Sequence, residues 1–258
     1  MSLGLNLDYC LSLSLGFAYK SFISVLNGST PQGVEQARVK SSAIDLGVLI
    51  EAKSEKIFEE TQFWNFGEND FRPTLDLGLG YSISNIGKEI YYVDERQKDP
   101  IGRSMRFGYS ISAGADLKVD DKIIKAFSYT FTGEASDILI KRDTIPGTEY
   151  LGAFGDLRIN KNLIMLESDN EVNVHRGHTF NFFETLYLLS GRLNGPGFQN
   201  RKTEGFGIST LGFFKFLSTI TENTFWKSIF DHSVIEYFSA TVNTGTIVES
   251  TVGGLSIR

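Results

Sequence analysis

"LGLNLDYCLSLSLGFAY", residues 3–19, alternates without a slip. Its odd positions are Leu3, Leu5, Leu7, Tyr9, Leu11, Leu13, Leu15, Phe17 and Tyr19. Its even positions are Gly4, Asn6, Asp8, Cys10, Ser12, Ser14, Gly16 and Ala18. Period two is the mark of a strand with two unlike faces, because successive side chains point to opposite sides. Bulky apolar groups occupy one face and small or polar groups the other. Read as one run, the stretch is a single long strand.

The pattern returns along the chain. "AIDLGVLIEAK" (43–53) sets Ile44, Leu46, Val48 and Ile50 against Asp45, Gly47 and Glu51. "TLDLGLGYSIS" (74–84) and "RSMRFGYSISAGADLK" (103–118) repeat it, as does "KAFSYTFTG" (125–133). "GFGISTLGFFKF" (205–216), "VIEYFSATVN" (234–243) and "TIVESTVGGLSIR" (246–258) read as further strands. None fits a 3.6-residue stripe, so the expectation is all-β with about ten to twelve strands by this reading. Polar or Gly/Pro-rich segments at 27–40, 54–73 and 88–103 read as long loops, and Val119–Lys122 as a tight turn.

Composition narrows the class. The 258 residues carry 25 basic and 31 acidic side chains, a net charge of −6, which lacks the basic excess of a nucleic-acid binder. The single cysteine, Cys10, excludes an intramolecular disulfide and a cysteine zinc cluster. No apolar run is long enough for a helical membrane span, and no secretory leader is visible. No interdomain linker stands out, so residues 1–258 read as one domain that begins inside a strand, with its N-terminal segment and leader expected to be absent.

Both a soluble sandwich and a membrane barrel alternate. Three features favour the barrel. The alternating runs exceed the five or six residues usual in globular strands and reach what a bilayer needs. The second face holds Gly, Ser, Thr and Ala instead of the Lys and Glu of a wetted surface, which suits a crowded barrel interior. Aromatic clusters such as Phe127–Phe131 and Phe213–Phe216 lie near strand ends, as at a membrane boundary. Lipid leaves backbone groups without partners, so a spanning sheet must close. The expectation is therefore a transmembrane antiparallel up-and-down β-barrel of about 10–14 strands. The alternative is a soluble β-sandwich or barrel that binds a ligand.

Leu77–Ser112, "LGLGYSISNIGKEIYYVDERQKDPIGRSMRFGYSIS", resembles the PorV/PorQ group of outer-membrane barrels, relatives of FadL-like fatty-acid transporters. "AIDLGVLIEAK" is similar to their D-L-G-V strand, and Glu184–Phe216 to their paired strands with a Gly-rich hairpin. The resemblance implies a 14-stranded barrel in the outer membrane of a Gram-negative cell. It implies either passage of hydrophobic molecules or service to a type IX secretion system, with the bilayer and hydrophobic small molecules or secretion proteins as partners. No N-terminal plug segment matches, and the "GGLSIR" terminus lacks the usual final aromatic residue.

Candidate residues follow from the alternation. Asp45, Glu51, Asp76, Arg106, Asp116 and Lys118 lie on the small-residue face and so would point into the lumen, pairing across strands or lining a path. Phe63, Trp64 and Phe66 form an aromatic loop suited to partner contact. His175 and His178 in "HRGH" read as loop histidines with no third metal ligand in a recognisable spacing. Asp231-His232-Ser233 reads as a polar turn, since neighbours on an extended chain cannot form a triad. Gly78-Leu79-Gly80 and Gly205-Phe206-Gly207 read as inward strand glycines, and Cys10 as an inert packed thiol. No nucleophile–base pair emerges, so no enzyme, cofactor or metal is expected.

Overall fold

The opening stretch is not one strand. The computed structural model describes residues 2–8, 11–25, 38–54, 64–66, 69–91, 100–120, 122–141, 149–196, 198–243 and 249–257, with backbone alone for 2–8, 64–66, 69, 198–200 and 249. Strand β1 (Ser2–Asp8) folds back on β2 (Leu11–Val25) as an antiparallel hairpin. Leu3 lies opposite Phe17, Leu5 opposite Leu15 and Asp8 opposite Ser12. Each pair of residue numbers adds to an even total, so odd positions meet odd positions. The alternation therefore survives the turn unbroken, and that continuity hid the turn from sequence reading.

The remaining strands are β3 (Arg38–Lys53), β4 (Trp64–Phe66), β5 (Asn69–Gly87), β6 (Ser104–Val119), β7 (Lys122–Ile138), β8 (Val172–Phe182), β9 (Leu186–Gly195), β10 (Phe198–Ser209), β11 (Ile235–Asn243) and β12 (Glu249–Ile257). All twelve belong to one sheet, eleven of them in the order β1-β2-β3-β5-β6-β7-β8-β9-β10-β11-β12 and β4 off that path. Every pairing is antiparallel and, apart from β3 with β5, joins sequence neighbours, so the sheet runs up and down; β1 and β12 end the order, and among the described residues no hydrogen bonds close it. β4 pairs with the start of β5 and continues the line of β3 after its last residues leave the sheet. β5 begins at Asn69, earlier than the loop read to residue 73.

Strand length comes from the middle of the chain. β3 has 16 residues, β5 19, β6 16 and β7 17. At about 3.3 Å per residue, 16 residues extend roughly 50 Å, well over twice the mean globular strand.

One face is apolar and open. Leu75, Leu77, Leu79 and Ile111 are 53%, 47%, 45% and 43% exposed. The opposite face is small and polar, and on it Ser12, Arg72, Asp116 and Ser128 are buried while Arg106 and Lys118 are exposed. This inverts the ordinary arrangement, in which apolar side chains leave water and charges stay in it.

Among the described residues, part of the apolar face is covered. The connection from β7 to β8 turns back over it as a strap that includes a short π-helix (Ile159–Ile164). Leu157, Leu163 and Leu166 pack there on Phe107, Tyr109, Ala135, Val172 and Val174, which form a small core. Tyr81 and Tyr109 donate hydrogen bonds to the strap carbonyls of Ala153 (2.6 Å) and Leu163 (3.1 Å). Phe107, on the apolar face of β6, thus lies beneath protein.

Connection lengths alternate only in part. At one end of the sheet lie the connections after β2, β5, β7 and β11; at the other end are tight turns after β6 and β8. That second end also carries a helical hairpin between β10 and β11, made of α1 (Leu211–Ile220) and α2 (Thr224–His232). This corrects the strand read through 205–216: β10 stops at Ser209 and the chain turns helical. Thr210 donates its N–H to Ile235 O, and its side-chain Oγ1 accepts from Ile235 N–H, both at 2.9 Å. Gly212 is required because a Cβ there would overlap the Phe183 carbonyl. Lys215 Nζ reaches Glu184 Oε2 (2.6 Å), and Lys122 pairs with Asp231. Asp231 and His232 therefore end α2, with Ser233 as its cap, in place of a polar turn. Asn223 caps the start of α2 by accepting from Phe225 N–H at 3.0 Å.

Candidate functional site

The register puts Asp45, Glu51, Asp76, Arg106, Asp116 and Lys118 on one side of the sheet, shared with Gly78, Ser110 and Ser112. Asp45 lies opposite Ala18, Glu51 opposite Ser12 and Gly78, and Asp76 opposite Ser112. Arg106 lies opposite Ser82 and Ser136, and Lys118 opposite Asp70. These positions do not form one cluster. Asp45, Asp76 and Asp116 make structural contacts, and Arg106 belongs to a polar site.

Two pairs are structural. Arg72 and Asp116 are direct cross-strand partners, buried, with Nη2–Oδ2 at 2.7 Å. Asp45 serves a bulge in β5, where the register against β3 shifts between Ile44 and Leu46. Asn85 sits at φ 60° there, a conformation that asparagine tolerates better than branched residues. Its N–H donates to Asp45 Oδ1 at 2.8 Å, and its side chain donates to Gly102 O at 2.9 Å. Lys20 Nζ bridges Asp45 Oδ1 (2.9 Å) and Asn85 Oδ1 (2.6 Å). Asp76 instead accepts from the Ser54 N–H at 3.1 Å where β3 leaves the sheet.

A trough of about 880 Å³ runs along the small-residue face, lined from β2 to β8. Glycine makes its floor. One cross-strand row reads Leu49, Gly80, Gly108, Glu134, His175. At Gly108 a Cβ would stand 2.9 Å from Gly133 O and 3.2 Å from Glu134 Cβ, so a larger residue would crowd the glutamate. Arg106 stands one row away, on the diagonal from Glu134, close enough for long side chains to meet. His175 Nε2 lies 3.5 Å from Ser136 Oγ. The trough thus joins a smooth, small-residue wall to an acid, a base and an imidazole at its β6–β8 side. Such a lining can admit an extended molecule and hold a polar end.

Of the six residues chosen from sequence, Arg106 alone lines this trough. Glu134 and His175 were missed. The alternation Thr130, Thr132, Glu134, Ser136 carried the signal for the first. The second was misread because "HRGH" is polar, yet it lies within β8, where Asn173, His175, Gly177, Thr179 and Asn181 share the small-residue face. His175 and His178 are therefore strand residues, not loop residues. His178 belongs to the other face, with Nδ1 at 2.8 Å from Tyr129 Oη. Among the described residues no group of three His, Cys, Asp or Glu could hold a metal ion. Trp64 and Phe66 lie in β4 as backbone positions, and Phe63 and Cys10 lie outside the described residues.

The chain matches no protein-family model and no curated protein.

Proposed function

We propose that this protein is a non-enzymatic outer-membrane β-barrel of the PorV/FadL-like type, whose sheet closes around the trough and carries small molecules across the envelope. The observation that supports it most is the inverted exposure. Long strands leave Leu75, Leu77 and Leu79 uncovered while Arg72 and Asp116 are buried on the opposite face. Water would penalise that apolar surface, and hydrocarbon would not. Closure is required by the same reasoning, since an unpaired edge in lipid leaves N–H and C=O groups without partners.

Transport is favoured over a secretion-partner role by the trough itself, which is open, walled by small side chains and polar at one side. A molecule with a hydrophobic body and a polar end fits that lining. The test is expression behind a leader followed by fractionation. The reading expects the chain in detergent-extracted outer membrane, with migration on gels that changes on boiling. Recovery as a monomer soluble without detergent would favour the ligand-binding alternative.

A further inference from the structure

The apolar face changes character over β8, β9 and β10. Phe182, Leu186 and Ile208 form one cross-strand row, and Phe180, Leu188 and Phe206 the next. The following row is His178, Ser190, Glu204, and the one beyond it is Arg176, Arg192, Lys202. His178 fixes which face this is, because its ring lies 5.2 Å from the Phe131 ring on the apolar side of β7. Arg176 is directly opposite Arg192, and Arg192 directly opposite Lys202. Like charges placed opposite one another across strands destabilise a sheet. None of the three makes an ion pair with a described residue. A hollow of about 230 Å³ lies among them, with Glu204 as its one carboxylate.

Three cations against one carboxylate leave an excess of two positive charges at the border of an apolar surface. We propose that this row binds the phosphate of an anionic membrane lipid, with the acyl chains lying over Phe180, Leu188 and Phe206. The site rests on the membrane reading given above. Arg forks match phosphate oxygens, and a cation row near the membrane surface attracts anionic lipid. A free anion would match the charges but leave the neighbouring apolar rows unused. A lipid satisfies both.

The experiment uses the full chain purified in a non-ionic detergent. Phosphatidylglycerol or phosphatidylcholine with the same acyl chains is added, and retained lipid is read by native mass spectrometry. Phosphatidylglycerol is expected to be retained over phosphatidylcholine by roughly tenfold. Arg176→Gln/Arg192→Gln/Lys202→Gln is expected to lose that preference while keeping boiling-dependent gel migration. If the triple variant does not fold, Lys202→Gln alone, at an exposed β10 position, is expected to reduce it. Equal retention of the two lipids by the native protein, or an undiminished preference in the folded variants, would overturn the site. Release of the lipid by excess inorganic phosphate would reassign it to soluble anions and also overturn it. A native chain that never shows a boiling-dependent shift would instead overturn the membrane reading, and this site with it.

Discussion

The Asn85 N–H donates to the Asp45 carboxylate at 2.8 Å, and this bond ties the bulge of β5 to β3. Lys20 on β2 binds both residues, so three neighbouring strands meet at one point. Asp45→Ala removes the acceptor of a bulge N–H and the partner of a lysine. Unfolding in denaturant is expected to need about 1–3 kcal/mol less free energy. Asp45→Asn, which keeps an acceptor, is expected to lose less. Asn85→Val tests the same point through the backbone, because a β-branched residue resists positive φ.

Arg72→Ala is expected to be the more damaging change. It leaves the buried Asp116 carboxylate without the guanidinium 2.7 Å away. Breaking a buried pair by removing one partner costs about 3–5 kcal/mol, whereas replacing both partners by apolar groups is often neutral. Arg72→Met/Asp116→Leu should therefore recover most of the loss, as read by denaturant midpoints of the two variants and the native chain.

Gly212→Ala is expected to release the helical hairpin without unfolding the sheet, because its Cβ would overlap the Phe183 carbonyl. Limited proteolysis should open cleavage sites between residues 210 and 234 while strand circular dichroism persists. Exposed Phe213, Phe216 and Trp226 on this hairpin supply the cleavage-prone aromatic sites.

Acid should loosen the strap over Phe107. Burial alone would raise the pKa of Asp169, but the N–H groups of Val172 and Glu171, the Asn162 side chain and the Lys161 charge outweigh it and hold the carboxyl below its usual value. A lowered folded-state pKa stabilises above the ordinary aspartate value of about 3.9 and is lost as pH falls through the folded value. Protease susceptibility of residues 149–171 is expected to rise as pH drops through that window. Asp169→Asn should abolish the acid step and leave the strap looser at neutral pH.

Much of the sheet was legible because its signal is local. Period two needs no knowledge of partners, and it located β3, β5, β6 and β7 and the face that carries Asp45, Asp116 and Arg106. What it could not show was where partners are chosen. The turn between Asp8 and Ser12 left no mark, since an even register total preserves the alternation. Phe214 and Phe216 continued the alternation of 205–209 even though the chain had become helical, and Gly212 is explained only by the distant Phe183 carbonyl. The strap and the Arg176–Arg192–Lys202 row are likewise tertiary facts: each residue is unremarkable in sequence, and only strand pairing puts three cations side by side.

The most direct test of the inverted sheet is spin labelling at Leu77→Cys and Ser110→Cys in a Cys10→Ser background, with the chain reconstituted in vesicles. Oxygen partitions into hydrocarbon and a charged nickel chelate stays in water. The label at 77 is expected to relax with oxygen and to be shielded from nickel, and the label at 110 to show the reverse bias. A label at 77 that nickel reaches freely, with one at 110 that oxygen alone reaches, would contradict it.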